Sequence, residues 1–267
     1  MSKRKKILGI VVAVGAILCA CVPAWAQVLL EEGKIRTNVT PGENITGKVT
    51  VHNTSDALVS MKVYWEDFAY KSPYDGSKEF LPKGTTDHSL ANWVNVPVSV
   101  LDLPPFSKKD VAYMANVPKD LDRGHYGVLF FEKANESQSP EMGMNIISRA
   151  GCLFFIEPKN KIKRIRLDNF RFTGKELAVD LTNQGNVIII PNGTFYVIDQ
   201  EGMVYDRGEI KKVYLPPDKT ADYILTFNAD MDPGTYTLVM TLDLDDNDVA
   251  VREIDFRKSY PSDYTVL

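Results

Sequence analysis

The sequence predicts an all-β chain built as two tandem immunoglobulin-like β-sandwiches behind an N-terminal signal peptide. Three observations carry this expectation. Short alternating or β-branched runs recur between turn residues with no long helical period, a string of residues repeats about one domain apart, and the first 26 positions have the pattern of an export leader.

The leader comes first. Lys3, Arg4, Lys5 and Lys6 form a positive start, residues 7–22 are apolar, and Pro23-Ala24-Trp25-Ala26 places small residues where signal peptidase needs them, before Gln27. Leu18-Cys19-Ala20-Cys21 is a competing signal, a lipoprotein-like box whose cleavage would acylate Cys21 and give the chain its sole membrane attachment; an uncleaved anchor helix is the third outcome. Export predicts a periplasmic or extracellular protein. Four of the 31 Lys and Arg residues lie in the first six positions, so loss of the leader leaves 27 basic against 35 acidic residues, a net charge of about −8. Such a surface argues against nucleic acid and anionic lipid as partners.

After Gln27, strand patterns fall at residues 45–53, 59–68, 111–116, 126–132, 177–182, 194–198, 223–227, 236–243 and 249–256. Turn signals about every ten residues favour sandwiches over βαβ units. Leu103-Pro104-Pro105 precedes one such strand and then Asp120-Leu121-Asp122-Arg123-Gly124-His125-Tyr126; Leu215-Pro216-Pro217 precedes another and then Asp230-Met231-Asp232-Pro233-Gly234-Thr235-Tyr236. Upstream, Asn53 and Asn183 each open a turn after a strand. A repeat of this kind predicts a shared module. The expected layout is a signal peptide at 1–26, a first sandwich at 27–157, a second at 158–257 and a C-terminal tail at 258–267. Within each repeat the Gly suits a turn into a strand, and Tyr126 and Tyr236 each suit a tyrosine corner, with the hydroxyl returned to the preceding loop.

The first copy carries about 18 extra residues before its Leu-Pro-Pro corner, placing an insertion near 66–93 that holds Tyr70, Tyr74, Phe80 and Trp93. Aromatics on a loop held by a rigid sandwich suit recognition, and they suit slightly better an added hairpin whose rings cap the sandwich. A second candidate is the stretch 146–156, apolar on both faces, which fits either strand addition by a partner at an exposed edge or burial against the second domain. It brings Cys152 and Phe154 into the candidate partner-binding set with Tyr70, Tyr74, Phe80 and Trp93. With Cys19 and Cys21 removed, Cys152 has no disulfide partner and reads as a small buried hydrophobe.

Chemistry is not signalled. His52, His88 and His125 share no metal-ligand spacing, and no Ser or Cys sits in a nucleophile elbow. The acidic run Asp243-Leu244-Asp245-Asp246-Asn247-Asp248 fails the EF-hand form, with Asp248 where Gly is needed and Ile254 where Glu is needed, and it reads as a solvated hairpin turn. The expectation is therefore a non-enzyme with no cofactor, metal or catalytic residue.

The exported leader, the Asn53-Thr54-Ser55-Asp56 turn, Leu90-Ala91-Asn92-Trp93-Val94, the Leu-Pro-Pro corner, Val117-Pro118 and Gly124-His125-Tyr126 together resemble bacterial PapD-like proteins over residues 30–257. These include periplasmic pilus chaperones and surface proteins that interact with WxL domains. The resemblance implies a non-catalytic, chaperone-like role in assembly or attachment at the cell envelope, with another exported protein or a pilus-like subunit as partner. Pilus chaperones anchor a subunit carboxylate with an Arg and a Lys; Arg36 with Lys161 or Lys163 would be the cations here, but no motif fixes them, and the acidic surface departs from the family pattern. The alternative is a carbohydrate or peptidoglycan binder that stacks cell-wall glycan on the insertion's aromatics.

Overall fold

The computed structural model describes residues 28–134, 148–227, 231–259 and 263–267. The leader with Cys21, the start of the 146–156 stretch, and Asp230 of the second repeat lie outside the described residues. Every regular element described is a strand.

In the first half these are β1 (Val28–Leu30), β2 (Lys34–Val39), β3 (Asn44–Asn53), β4 (Val59–Tyr70), β5 (Lys78–Pro82), β6 (Val94–Asn95), β7 (Val100–Leu103), β8 (Lys108–Asn116), β9 (His125–Lys133) and β10 (Arg149–Pro158). They form a sheet ordered β1-β3-β8-β6 and a second ordered β2-β10-β9-β4-β5, with β7 also on β4. The N-terminal segment thus changes sheets: β1 pairs antiparallel with β3, and β2 runs parallel to β10. The second half holds β11 (Ile165–Thr173), β12 (Glu176–Asn183), β13 (Asn192–Asp199), β14 (Val204–Ile210), β15 (Thr220–Thr226), β16 (Gly234–Asp243), β17 (Val249–Ser259) and β18 (Asp263–Val266), in sheets β11-β12-β15 and β14-β13-β16-β17-β18.

Each pair of sheets encloses its own apolar core. Strands such as β8 and β12 alternate buried and open positions, as half-buried strands do. Val49, Val51, Val111, Phe131 and Phe154 centre the first core; Leu177, Val179, Phe195, Leu238 and Phe256 centre the second. Within 258–267, expected as a tail, Lys258 and Ser259 end β17 and Asp263–Val266 form β18 beside it. Tyr264 stacks on Phe172 with ring centroids 4.7 Å apart, apolar contact that draws the end of the chain onto the sandwich. The acidic run is the hairpin turn between β16 and β17, with Asp245, Asp246 and Asn247 all in the left-handed region that Asn and Asp tolerate.

The repeated strings build the same fitting twice. Asn53 is buried and donates from Nδ2 to the carbonyls of Ala57 (2.8 Å) and Leu103 (3.0 Å), while its Oδ1 accepts from Ser55 N–H (2.9 Å). Asn183 does the same with Val187 (2.9 Å), Leu215 (2.9 Å) and Gly185 (2.8 Å). Each Leu-Pro-Pro corner then turns with a positive φ at the next residue, Phe106 or Asp218.

Candidate functional site

The insertion is a hairpin followed by a pinned loop. β4 runs on past the end of the sandwich to Tyr70, and β5 pairs with it from Glu66 to Tyr70. Asp67, buried at the base, holds the loop that follows: its carboxylate accepts from Thr85 N–H (2.9 Å), Thr86 N–H (2.9 Å) and Ser89 Oγ (2.7 Å). Asp67 escaped the sequence reading, where the one signal was an acid in an apolar strand ahead of Thr85-Thr86.

This hairpin reaches the second sandwich. Tyr214 N–H donates to the Tyr74 carbonyl (2.7 Å), and the rings of Tyr70 and Tyr214 stack at 5.1 Å. Gly76 has φ +105°, and a Cβ there would come within 3.0 Å of the Tyr214 ring, so close approach and backbone conformation both call for Gly. Lys78 Nζ lies over the Tyr70 ring at 4.9 Å. Burial pushes the Tyr70 hydroxyl up to about 12.

Behind the hairpin, Phe68, Tyr126, Val128, Phe130 and Phe155 from the outer face of the first domain's larger sheet form one buried cluster with Ile188 of the second domain. Tyr126 and Phe155 meet edge-on at 5.4 Å, and Phe68 and Phe155 at 5.7 Å. The Tyr126 hydroxyl accepts a 2.9 Å hydrogen bond from Ile188 N–H, Gly124 N–H donates to the Asn186 carbonyl (2.8 Å), and Asn186 Nδ2 donates to the Asp122 carbonyl (2.7 Å). The tyrosine-corner expectation therefore holds for Tyr236, which donates to the Asp232 carbonyl (2.9 Å), and not for Tyr126, whose hydroxyl is engaged across the seam by a backbone amide of the other domain.

The six candidate residues separate into four places. Tyr70 and Tyr74 belong to the seam. Phe80, 39 % exposed, lies on the outer sheet face edge-on to Phe130 (5.0 Å), with the Arg149 guanidinium 4.0 Å over Phe130 and 5.3 Å from Phe80. Trp93 packs on His125 at 4.0 Å. Cys152 and Phe154 are fully buried in the first core, because alternate side chains of a mid-sheet strand must point inward; they present no side chain to a partner. Burial pushes the Cys152 thiol up to about 12, which leaves it protonated and unreactive.

The double-faced apolarity of residues 146–156 now has its cause in the described portion. Cys152, Phe154 and Ile156 fill the first core, and Leu153 and Phe155 face the seam. Among the described residues, no strand pairs with one end of the outer edge of β10. β2 covers β10 only from Leu153 onward, while β9 pairs with it from Arg149. Because Leu153 N–H points to the β2 side, where it meets the Gly33 carbonyl at 3.0 Å, alternation aims the N–H and C=O groups of Arg149 and Gly151 along the same edge, past the end of β2.

At the other end of β10 is a buried charge cluster. Glu157, 1 % exposed, lies 3.5 Å from Arg36 Nη2 and 3.2 Å from Lys161 Nζ. Lys161 and Lys163 also each approach Asp246 Oδ2 at 2.9 Å. Hydrogen bonds from Lys161 and then Lys163 pull the Asp246 carboxyl down to about 2. The cations that could have anchored an external carboxylate are therefore already matched by carboxylates of this chain.

Neither a family model nor a curated protein matches the sequence. Among solved structures, the chain is similar to the class 5 fimbriae chaperone CfaA, at 14 % identity and a TM-score of 0.54, with 85 % of this chain and 98 % of that one covered. It is also similar to a chain from the chaperone–tip adhesin complex of CFA/I fimbriae biogenesis, at 16 % identity and a TM-score of 0.52, with the same two coverages. At such identities the likeness is one of fold, the arrangement of two β-sandwiches in tandem.

Proposed function

We propose that this chain is an exported, non-enzymatic, chaperone-like module that binds a segment of another exported protein, a pilus-like subunit, during assembly at the cell envelope. The observation that carries the reading is the open half-edge of β10 at Arg149 and Gly151, which offers backbone donors and acceptors to an added strand. The fold shared with fimbrial chaperones supports it. In this reading the leader ends before Gln27, and the two sandwiches meet at a linker between β10 and β11. Arg149 belongs to the strand that offers the edge, while Phe80 lies on β5 at the other end of the sheet and meets the Arg149 guanidinium across its face. The glycan alternative loses its footing because Tyr70 and Tyr74 are engaged with Tyr214.

The test is crosslinking and mass spectrometry on the tagged full chain in its native envelope, followed by hydrogen exchange with the exported protein recovered. Links near Arg149 together with slowed exchange of the Arg149 and Gly151 amides are the expected outcome. Exchange at these amides that is indifferent to the partner, or links confined to wall fragments, would overturn the reading.

A further inference from the structure

We propose that His88 and His125 form a proton-operated latch on the interdomain seam, closed when both rings are neutral and loosened when they are protonated. The inference is independent of what the chain binds.

The two rings tie the insertion loop to the repeat's corner through reciprocal contacts. His88 Nδ1 lies 3.1 Å from the Gly124 carbonyl, and His125 Nδ1 lies 3.2 Å from the Ser89 carbonyl. With carbonyls as partners, each Nδ1 is the donor. The same two segments are joined by Tyr126 N–H donating to the His88 carbonyl (2.7 Å) and by a parallel bridge between Ser89 and Tyr126. The corner so held carries three of the four seam hydrogen bonds described above, from Gly124, at the Asp122 carbonyl and at the Tyr126 hydroxyl; the fourth joins Tyr214 to Tyr74 on the hairpin. Whatever moves residues 122–126 relative to residues 88–89 therefore acts directly on the seam.

Protonation supplies such a force. The ring centroids of His88 and His125 are 5.9 Å apart, and both residues are partly buried, so two imidazolium charges would repel at short range with incomplete screening by solvent. Arg123 faces both rings and adds a third positive charge. Against these stand Asp87 on the insertion loop, Asp122 on the corner and Asp218 of the second domain. Asp122 and Asp218 are mostly exposed and already lie near Arg123, at 3.5 and 4.0 Å, so their compensation is screened and shared. The remaining neighbours are rings: Trp93 packs on His125 and Tyr126 on His88. Desolvation accordingly holds both histidines below the ordinary imidazole range, the direction expected where the protein favours the neutral form. A depressed folded value means the latch contribution is complete above the unfolded value near 6.5 and is lost as the pH falls through the folded ones.

The experiment follows the full chain by NMR from pH 7.5 to 5, reading both imidazole titrations and the protection factors of the Gly124 and Ile188 amides, corrected for intrinsic exchange. The control is the double variant His88→Asn, His125→Asn, whose amide group keeps a donor near the Nδ1 position without titrating. Protection at Gly124 and Ile188 should fall about tenfold as the rings protonate, the factor carried by one unit of pKa difference, and should stay flat in the variant. An equal fall in the variant, or unchanged protection in the parent while both rings titrate, would overturn the latch. Should the double variant not fold, the Gly185 amide, bonded to Asn183 within the second sandwich, becomes the internal reference. A loss of protection common to Gly185 and the seam amides would then refute the proposal, and a loss confined to the seam would support it.

Discussion

In both sandwiches a buried Asn at a strand end bonds its own turn and the Leu-Pro-Pro corner, yet the Tyr that follows the repeated Gly is used differently. Tyr236 closes its own loop through Asp232, whereas Tyr126 accepts from Ile188 in the other domain. The neighbouring Gly residues follow suit. A Cβ on Gly124 would sit 2.2 Å from the Tyr126 hydroxyl, while the nearest atom to one on Gly234 is an ordinary 3.5 Å away. One module thus contains a part that is fixed, the asparagine staple, and a part that could be redirected. A hydroxyl at the rim of a sandwich can bond whatever backbone is nearest, and in the first domain that backbone belongs to its neighbour.

The largest effects should come from the shared part. Asn53→Ala and Asn183→Ala each strand several buried polar groups and should each cost about 3 kcal/mol by denaturant titration. A marked inequality between them would break the equivalence of the two fittings. Next come the tyrosines. Tyr126→Phe leaves the Ile188 amide buried without its acceptor and should cost about 2 kcal/mol, with faster exchange on both sides of the seam; Tyr236→Phe should cost about 1 kcal/mol and disturb only the second sandwich. A smaller contrast is expected at the glycines. Gly124→Ala forces the Tyr126 ring to shift and should cost about 1 kcal/mol, against a change within about 0.5 kcal/mol for Gly234→Ala, both read from thermal melts.

The smallest effect belongs to the acidic turn, whose lysine partners come from the segment between the sandwiches. Asp246 has a depressed folded value, so its contribution is present above the unfolded carboxylate range near pH 4 and is lost as the pH falls through about 2. The turn is half exposed and screened, so Asp246→Asn should cost about 0.5 kcal/mol at neutral pH, less in high salt and nothing below pH 2.

The Asn-led turns, the Leu-Pro-Pro corners and about half of the strands were legible in the sequence because they depend on contacts within one module, and a repeat displays such contacts twice. The seam was not. Tyr70 and Tyr214 are 144 positions apart, and nothing in either neighbourhood specifies the other. The fate of the Tyr126 hydroxyl is decided by where Ile188 falls in space, which no local pattern encodes. Residues 146–156 were legible as doubly apolar, but assigning their outer face required the second domain's position. β18 was missed because four residues after Pro261 give too little alternation to read.

The parallel pairing of β2 with β10 joins residues 119 positions apart at every step of its register, from Lys34 with Leu153 to Val39 with Pro158. Loop closure over that span must precede any gain from the contact, which puts the first sandwich among slow, high-contact-order folders. Its larger sheet lacks its outermost strand until nearly the whole first half of the chain is available. During synthesis, therefore, β2 waits for its partner, and the larger sheet of the first domain is completed only when β10 emerges.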